Sequence, residues 1–599
     1  MITLGRRRIL FAFLAAFVLL TAWRAWELSA STGAATPQRP MTGYTKYEPE
    51  KDYFWRTIKH QFAVVPFRQV PTSAAASLPP VQATAFPAES AEQKQVRLAR
   101  QSDIKDSFVK SWNAYKKYAW LRDEVTPVSG SYKDTFGGWG ATLIDSLDTL
   151  WIMGLRDDFD DAVFEVAKNA LFLYTPAKEI NVFETNIRFL GGLLSAYDLS
   201  GDKRLLTKAH NVGDMLYKAF DTPNHLPITR WDLHDAAHGH KQEARSTTLL
   251  AEIASLSLEF TRLSMVTKDT KYYDAVQHIS ELLADSQMKS KLPGMWPIVV
   301  DAQKKYFDAG TTYTLGGMAD SAYEYMPKMM ALLGQKDGIY HDMYTQSMAA
   351  ANRSLFYRPM TPTREDILLP GFVDMDPNDA SRKQTLMPAS GHLTCFTGGM
   401  LALGGRLVSS QDHLSWAEKL TNGCVWAYKA FSTGVMPETF YVAACPNRED
   451  CPWDADKWYA EVTKVHEVFA DAKEAARIVE RERLPEGFSK IMDSRYILRP
   501  EAIESIFIMY RVTGDRIWQE KAWDMWKAID NLTSTKLANS AVDDMNPGKG
   551  EGVKMADSME SFWLGETLKY FYLIFAEPDL VSLDEWVFNT EAHPFKRLK

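Results

Sequence analysis

Four acidic residues occupy equivalent places in this sequence: Glu184 in "NVFETNIRFLGG", Asp320 in "GGMADSAYEY", Glu501 in "YILRPEAIES" and Asp557 in "ADSMESFWLGE". Each stands where a long connection enters an apolar helical stretch. A single carboxylate in such a place is ordinarily a helix N-terminal residue, stabilised by free amide groups and the helix dipole. Several converging on one face, with Arg188, His392 and Arg499 beside them, fit glycoside hydrolysis instead. That chemistry needs one protonated carboxyl to assist the leaving oxygen and one ionised carboxylate to activate water. A helix N-terminus alone lowers a carboxyl pKa, so crowding by other carboxylates must raise one of the pair. A glycan-binding module would use the same acidic and aromatic crater without turnover, and sequence spacing does not separate the two.

The elements that must bring these residues together recur along the chain. An apolar helix, a short turn containing Asp and an amphipathic helix follow one another, with turns at 155–158, 199–202, 266–269, 334–337, 409–412, 512–515 and 576–579. Asp or Gly in such a turn stops one helix and can cap the next. The helix before each turn, such as "EAIESIFIMYR" (501–511) or "ESFWLGETLKYFYLIF" (560–575), is apolar on most faces and suited to burial all round. The helix after it is one-sided: in 517–530, Trp518, Ala522, Trp526 and Ile529 form a single stripe. Counting from "SFVKSWNAYKKYAWL" (107–121), outer and inner helices alternate, seven of each. The predicted fold class is all-α, an (α/α)7 barrel with short β-hairpins in its loops. Its outer-to-inner connections are long, so one face carries nearly all the irregular chain, where chemistry concentrates.

Composition narrows the partners. Of the 599 residues, 46% are apolar and 12% aromatic, and the formal charge is only −8, which indicates neither a disordered chain nor a nucleic-acid-binding surface. Arg6, Arg7 and Arg8 precede an apolar run from Ile9 to Trp23, the pattern of a membrane anchor with its basic end in the cytoplasm. The expected organisation is a cytoplasmic tail (1–8), an uncleaved signal anchor (9–26), a Pro/Ala/Ser-rich luminal stem acting as a spacer (27–95) and a catalytic domain (96–599). Cys395, Cys424, Cys445 and Cys451 all lie beyond the stem, an even count that in an oxidising lumen means two disulfides, most simply between near neighbours. Sequons at Asn352 and Asn531 agree with a secretory route.

The chain closes with "VFNTEAHPF" (587–595), a polar stretch directly after one of its most apolar helices. By position alone this would be a solvated tail. Its wording is also one of several motifs that together resemble the class I α-mannosidases, glycoside hydrolase family 47. The others are "SYKDTFGGWGATLIDSLDTLWIMGL" (131–155), "NVFETNIRFLGGLLSAYDL" (181–199), "ADSAYEYMPK" (319–328), "HLTCF" (392–396), "LRPEAIES" (498–505) and "ESFWLGETLKYFYLIF" (560–575). The resemblance runs from about residue 100 to the end.

The resemblance implies inverting hydrolysis of terminal α-1,2-linked mannose on high-mannose N-glycans, by an enzyme of the Golgi or endoplasmic reticulum membrane with a luminal catalytic domain. By motif, Glu184 corresponds to the acid acting through a water, Glu501 to the general base and Asp320 to a third essential acid. Arg188, His392, Arg499, Glu504, Phe562, Glu566 and Glu591 match sugar-pocket or metal-water positions. Thr590 matches the residue that holds Ca2+ through its hydroxyl and carbonyl oxygens, and Cys395 and Cys424 match the family's disulfide. Endoplasmic-reticulum-type members typically carry Arg two residues before the third acid, where this chain has Met318, so broader, Golgi-like trimming is expected. The rival reading is the degradation-factor branch of the family, glycan-recognition partners that usually lack this cysteine pair.

Overall fold

The computed structural model describes residues 49–72, 78–376, 383–469 and 471–598. The expected tail, the anchor and the first part of the stem lie outside these residues. Among the described residues, no helix is long and apolar enough to cross a membrane.

Two concentric rings of helices alternate along the chain. Numbering only these, the outer ring is α1 (Ala91–Tyr118), α3 (Arg156–Asn169), α5 (Lys203–Tyr217), α7 (Lys271–Gln287), α9 (Ile339–Ser354), α11 (Gln411–Lys429) and α13 (Ile517–Thr533). The inner ring is α2 (Leu147–Ile152), α4 (Gly191–Ser200), α6 (Ser257–Thr267), α8 (Asp320–Leu333), α10 (Phe396–Leu407), α12 (Glu501–Thr513) and α14 (Leu568–Ile574). Each inner helix touches the next, and the turn leading into α14 returns to α2, which closes the (α/α)7 barrel expected from the turns. Inner helices are buried on nearly every side; along α12 every residue from Ala502 to Val512 is buried. The turns behave as their residues dictate. Gly201 and Gly514 adopt the left-handed conformation after α4 and α12, and Asp202 then caps α5 by accepting from the Arg204 amide at 2.9 Å.

Two expectations at the front of the chain need correction. Helix α1 starts at Ala91, ahead of residue 96, because Ser90 and Gln93 form a reciprocal capping box across its first turn. The segment read as a spacer is no spacer from residue 49 on. Trp55 is buried against Trp231, and Tyr53 and Trp55 both donate to the Phe172 carbonyl at 3.0 Å. The amides of Gln61 and Phe62 donate to Asp221, and Arg68 pairs with Asp274 and Glu281. Further on, Val81 is fully buried and Ala83 donates to the Arg511 carbonyl at 2.8 Å. Its prolines and alanines hid this, since a strap that lies along other elements needs no periodicity of its own.

Strands are short and confined to the connections. The largest sheets are three-stranded and antiparallel: Gln384–Met387, Phe372–Met375 and Thr312–Thr314, and then Ala389–Gly391, Thr439–Val442 and Phe488–Asp493. They line the loops entering α8, α10 and α12. A small second core around Trp458, Val462 and Ile478 fills the excursion between α11 and α12. The Cys395–Cys424 bridge ties the start of α10 to α11, and Cys445–Cys451 closes a short loop in the excursion.

The closing stretch is the opposite of a tail. Trp586–Phe588 and Pro594–Lys596 form an antiparallel hairpin whose loop enters the bore of the inner ring. Asn589, Ala592 and His593 are fully buried. The Asn589 amide donates to the Ile187 carbonyl at 3.0 Å and to Glu259 at 2.7 Å, while Lys328 donates to the Asn589 carbonyl. Gly191 and Gly192 make room for it: a Cβ on Gly191 would stand 2.7 Å from Asn589 Nδ2 and 3.0 Å from His593 Cδ2. That explains why "FLGG" opens a buried helix with two poor helix formers.

Candidate active site

The mouth of the barrel holds a cavity of about 320 Å³ lined by eight carboxyl side chains, Glu184, Glu252, Asp320, Glu324, Glu501, Glu504, Glu566 and Glu591, against three arginines, 188, 230 and 499. Phe562 walls one side and Thr590 reaches it from the hairpin loop. The helices deliver these groups in register. Asp320 and Glu324 stand one turn apart on α8, as do Glu501 and Glu504 on α12. The other two presenting segments are distorted. A π-helical turn at Thr185–Leu190 follows Glu184 and carries Arg188, and a second at Trp563–Thr567 carries Glu566. Single π turns of this kind redirect side chains and gather at functional sites.

The three candidate catalytic carboxyls sit in unlike surroundings. Burial pushes Asp320 up to about 7, with Glu324 and Glu501 adding repulsion, and the Ser321 amide at 2.9 Å is too weak a counterweight. For Glu501, burial also pushes upward, but His392 and Arg499 outweigh it and hold the carboxyl below the usual glutamate range. His392 Nδ1 stands 3.7 Å from Glu501 Oε2, beyond hydrogen-bond length, so its influence is electrostatic at that distance. His392 is itself fixed by Tyr428, whose hydroxyl meets Nε2 at 2.9 Å. Arg499 lies 3.9 Å from Glu501 and donates to Glu438 at 2.8 Å. Glu184 accepts from Arg188 Nε at 2.9 Å on the same helical face and stays partly open to solvent.

The sugar-pocket candidates fall behind these. Burial raises Glu504 to about 8, tempered by Lys328 at 3.5 Å. It raises Glu591 to about 8 despite direct pairing with Arg188, and Glu566, facing Glu591 and Glu501, lies well above the usual range. The floor of the cavity therefore repels its own negative charge. Phe562 lies beneath both arginines, each guanidinium 5.9 Å from the ring centre. Among the sugar-pocket candidates His392 alone does not line the cavity; it stands behind Glu501.

Asp557 does not join the others. Its carboxylate accepts from the Val128 and Ser129 amides at 2.7 and 3.1 Å and pins the loop after Thr126, outside the cavity lining. It precedes the helical stretch by several residues, too early to point into the bore. Conversely, Glu324 lines the cavity and was missed, as were Glu438 behind Arg499 and the buried Asp145, Asp148 and Lys569. Except for Glu438, which lies in a connection, their signal was present: charged side chains on helices apolar all round have nowhere to go except a polar interior.

The chain is similar to known proteins. The family model described as Glycosyl hydrolase family 47 matches residues 107–597. An endoplasmic reticulum mannosyl-oligosaccharide 1,2-alpha-mannosidase of Homo sapiens is 34% identical over 500 residues, which cover 83% of this chain and 64% of the human protein, somewhat under two thirds of its length. The mannosyl-oligosaccharide 1,2-alpha-mannosidase MNS1 of Arabidopsis thaliana is 32% identical over 85% of this chain and 80% of its own. Among solved structures, an alpha-1,2-mannosidase from Trichoderma reesei superposes with a TM-score of 0.71 at 31% identity, covering 84% of this chain and 99% of that one. By sequence and by barrel, the chain belongs to glycosyl hydrolase family 47.

Proposed function

We propose that this protein removes terminal α-1,2-linked mannose from high-mannose N-linked glycans by inverting hydrolysis in the secretory pathway. The observation that carries the proposal is the opposition inside one cavity: Glu501 is held below its ordinary range while Asp320 is pushed up to about 7. Inversion requires one ionised carboxylate as base and one protonated carboxyl as acid, and a cavity that holds carboxyls in both states can supply the two. Glu501 takes a proton from the attacking water, and His392 and Arg499 keep it ionised until it does. Glu184, fixed by Arg188, gives the leaving oxygen its proton through a water. Asp320 is the second candidate for that donor, because burial keeps it protonated near neutrality.

The floor suits a hard cation. Its donors are oxygens, Thr590 offers a hydroxyl and a carbonyl beside a crowd of carboxyls, and the nearby imidazole of His392 is turned to Tyr428. Among the described residues no group of three or more His, Cys, Asp or Glu side chains could hold a metal unaided. Ca2+ bound through Thr590 would therefore take waters and sugar hydroxyls as further ligands, as its high coordination number allows. When bound, it would orient a mannose hydroxyl pair at the cavity floor. Phe562 packs against the sugar, and Arg188 and Arg499 hold its hydroxyls away from bulk water.

Met318, 56% exposed on the rim, offers no hydrogen bond to a glycan branch. Broad trimming follows, with Golgi or endoplasmic reticulum membrane residence through the 9–26 anchor. Incubating residues 49–599 with a nine-mannose glycan and mapping isomers over time tests the proposal. Stepwise loss of several α-1,2-linked mannoses is expected. Binding without release would favour the recognition-factor reading, and release of another linkage would overturn the substrate assignment.

A further inference from the structure

Behind the cavity runs a line of buried charges that the hydrolysis itself does not use. Lys569 on α14 donates to Asp148 on α2 and, at 2.7 Å, to the Ala592 carbonyl of the hairpin loop. Ser195 on α4 also donates to Asp148, at 2.8 Å. His593 Nδ1 lies 2.8 Å from Asp148 Oδ2, and its Nε2 lies 3.4 Å from Asp145 Oδ1. Asp145 in turn accepts from the Ser561 hydroxyl and stands 3.6 Å from Arg188, which also donates to the Ser561 oxygen at 3.2 Å. Arg188 then grips Glu184 and Glu591. Lys569, Asp148, His593 and Asp145 are all fully buried.

From this geometry we infer that His593 is a positioning residue: lodged as an imidazolium between Asp148 and Asp145, it fixes Asp145, which fixes Arg188, which sets the pose of Glu184. The inference rests on the hydrolase reading of the site. A neutral imidazole carries one N–H, so it could donate to only one of the two carboxylates and would leave the other facing a lone pair in a dry interior. A doubly protonated ring donates to both. The charged groups acting on it are Asp145, Asp148 and Lys569, with Glu591 on the same loop, and Asp145 and Asp148 prevail over the ammonium, so the ring's pKa is raised despite burial. Its seat is tight: Cβ atoms on Gly191 and Gly192 would come within 3.0 and 3.3 Å of the ring, and Gly565 lets the π turn before α14 approach Asp145 closely. The ring cannot turn aside.

Two arms test the inference. In protein labelled with 15N at histidine, the signal lost in His593→Gln should report both ring nitrogens protonated at pH about 7.5, above the ordinary imidazole value of about 6.5. Asp145→Asn, the isosteric change, should return it to a singly protonated ring. In the second arm, His593→Gln and Asp145→Asn should each lower kcat by about 100-fold, with KM changed less than about threefold, because a small misplacement of a catalytic group has that cost. The double variant should be no worse than either single one, since both cut the same chain. A neutral His593 at that pH, additive losses, or unchanged kcat in folded variants would each overturn the inference. If the unaltered protein releases no mannose, the hydrolase reading falls on that result alone, and the histidine signal still decides whether His593 bridges the two carboxylates.

Discussion

The two ends of the catalytic unit are both polar, Pro-containing segments without periodicity, yet they are held in opposite ways. The strap from residue 49 lies over the outer helices and is fastened by contacts near solvent, such as Arg68 to Glu281, together with a few anchors such as Trp55. The closing hairpin is threaded into the bore and fastened by charges with no solvent access at all. Contacts near solvent contribute little singly and allow local opening, whereas a buried charge that loses its partner cannot recover by hydration. The strap should therefore be tolerant of change, and the hairpin intolerant.

The largest effect is expected at Lys569. Lys569→Met keeps the volume but leaves buried Asp148 without the ammonium, with His593 as its remaining partner, and the Ala592 carbonyl without a donor, so urea unfolding should show a loss of about 3–5 kcal/mol. A change under 1 kcal/mol would mean that the hairpin charges are hydrated after all. Next comes Gly191→Ala, whose Cβ would collide with Asn589 and His593; a loss of about 1–3 kcal/mol is expected, with activity falling alongside stability. On the strap, Asp221→Ala removes the acceptor of two backbone amides, which should cost about 1 kcal/mol and speed proteolysis near residue 61 without lowering turnover. Equal damage from Asp221→Ala and Lys569→Met would erase the distinction.

A smaller and more selective effect concerns pH. Asp320 in the folded protein is pushed to about 7, above its unfolded value, so the native state keeps that proton longer. Its burial is without electrostatic cost below about pH 4 and costs stability progressively as pH rises through about 7. Asp320→Asn should accordingly raise the thermal midpoint at pH 8 more than at pH 5. If Asp320 is the proton donor, the unaltered enzyme's kcat should fall as pH climbs through about 7, and that limb should be gone from whatever activity Asp320→Asn retains; a limb that persists in the variant would rule Asp320 out as the donor.

Much of the barrel was legible because its causes are local. Seven turns with stop and cap residues, alternating with apolar and one-sided helices, already specify which helices face inward and which face carries the loops. Glu184, Asp320 and Glu501 were legible as acids at helix entries. Asp557 shows the limit, since being a few residues early in a connection sends a carboxylate to a loop amide rather than the bore. The π turns at 185–190 and 563–567 carry no sequence mark, because they depend on how the hairpin and neighbouring helices pack. The strap was misread for the same reason: its partners are more than a hundred residues away.

Glu501 is proposed to activate water on the face of the sugar opposite the leaving group. Proton NMR of the first minutes of hydrolysis of an α-1,2-linked mannose disaccharide tests it most directly, with Glu501→Gln run beside the unaltered protein. β-Mannose is expected as the initial product, relaxing slowly to the anomeric mixture, with no release by the variant. Initial α-mannose, or normal turnover by Glu501→Gln, would contradict it.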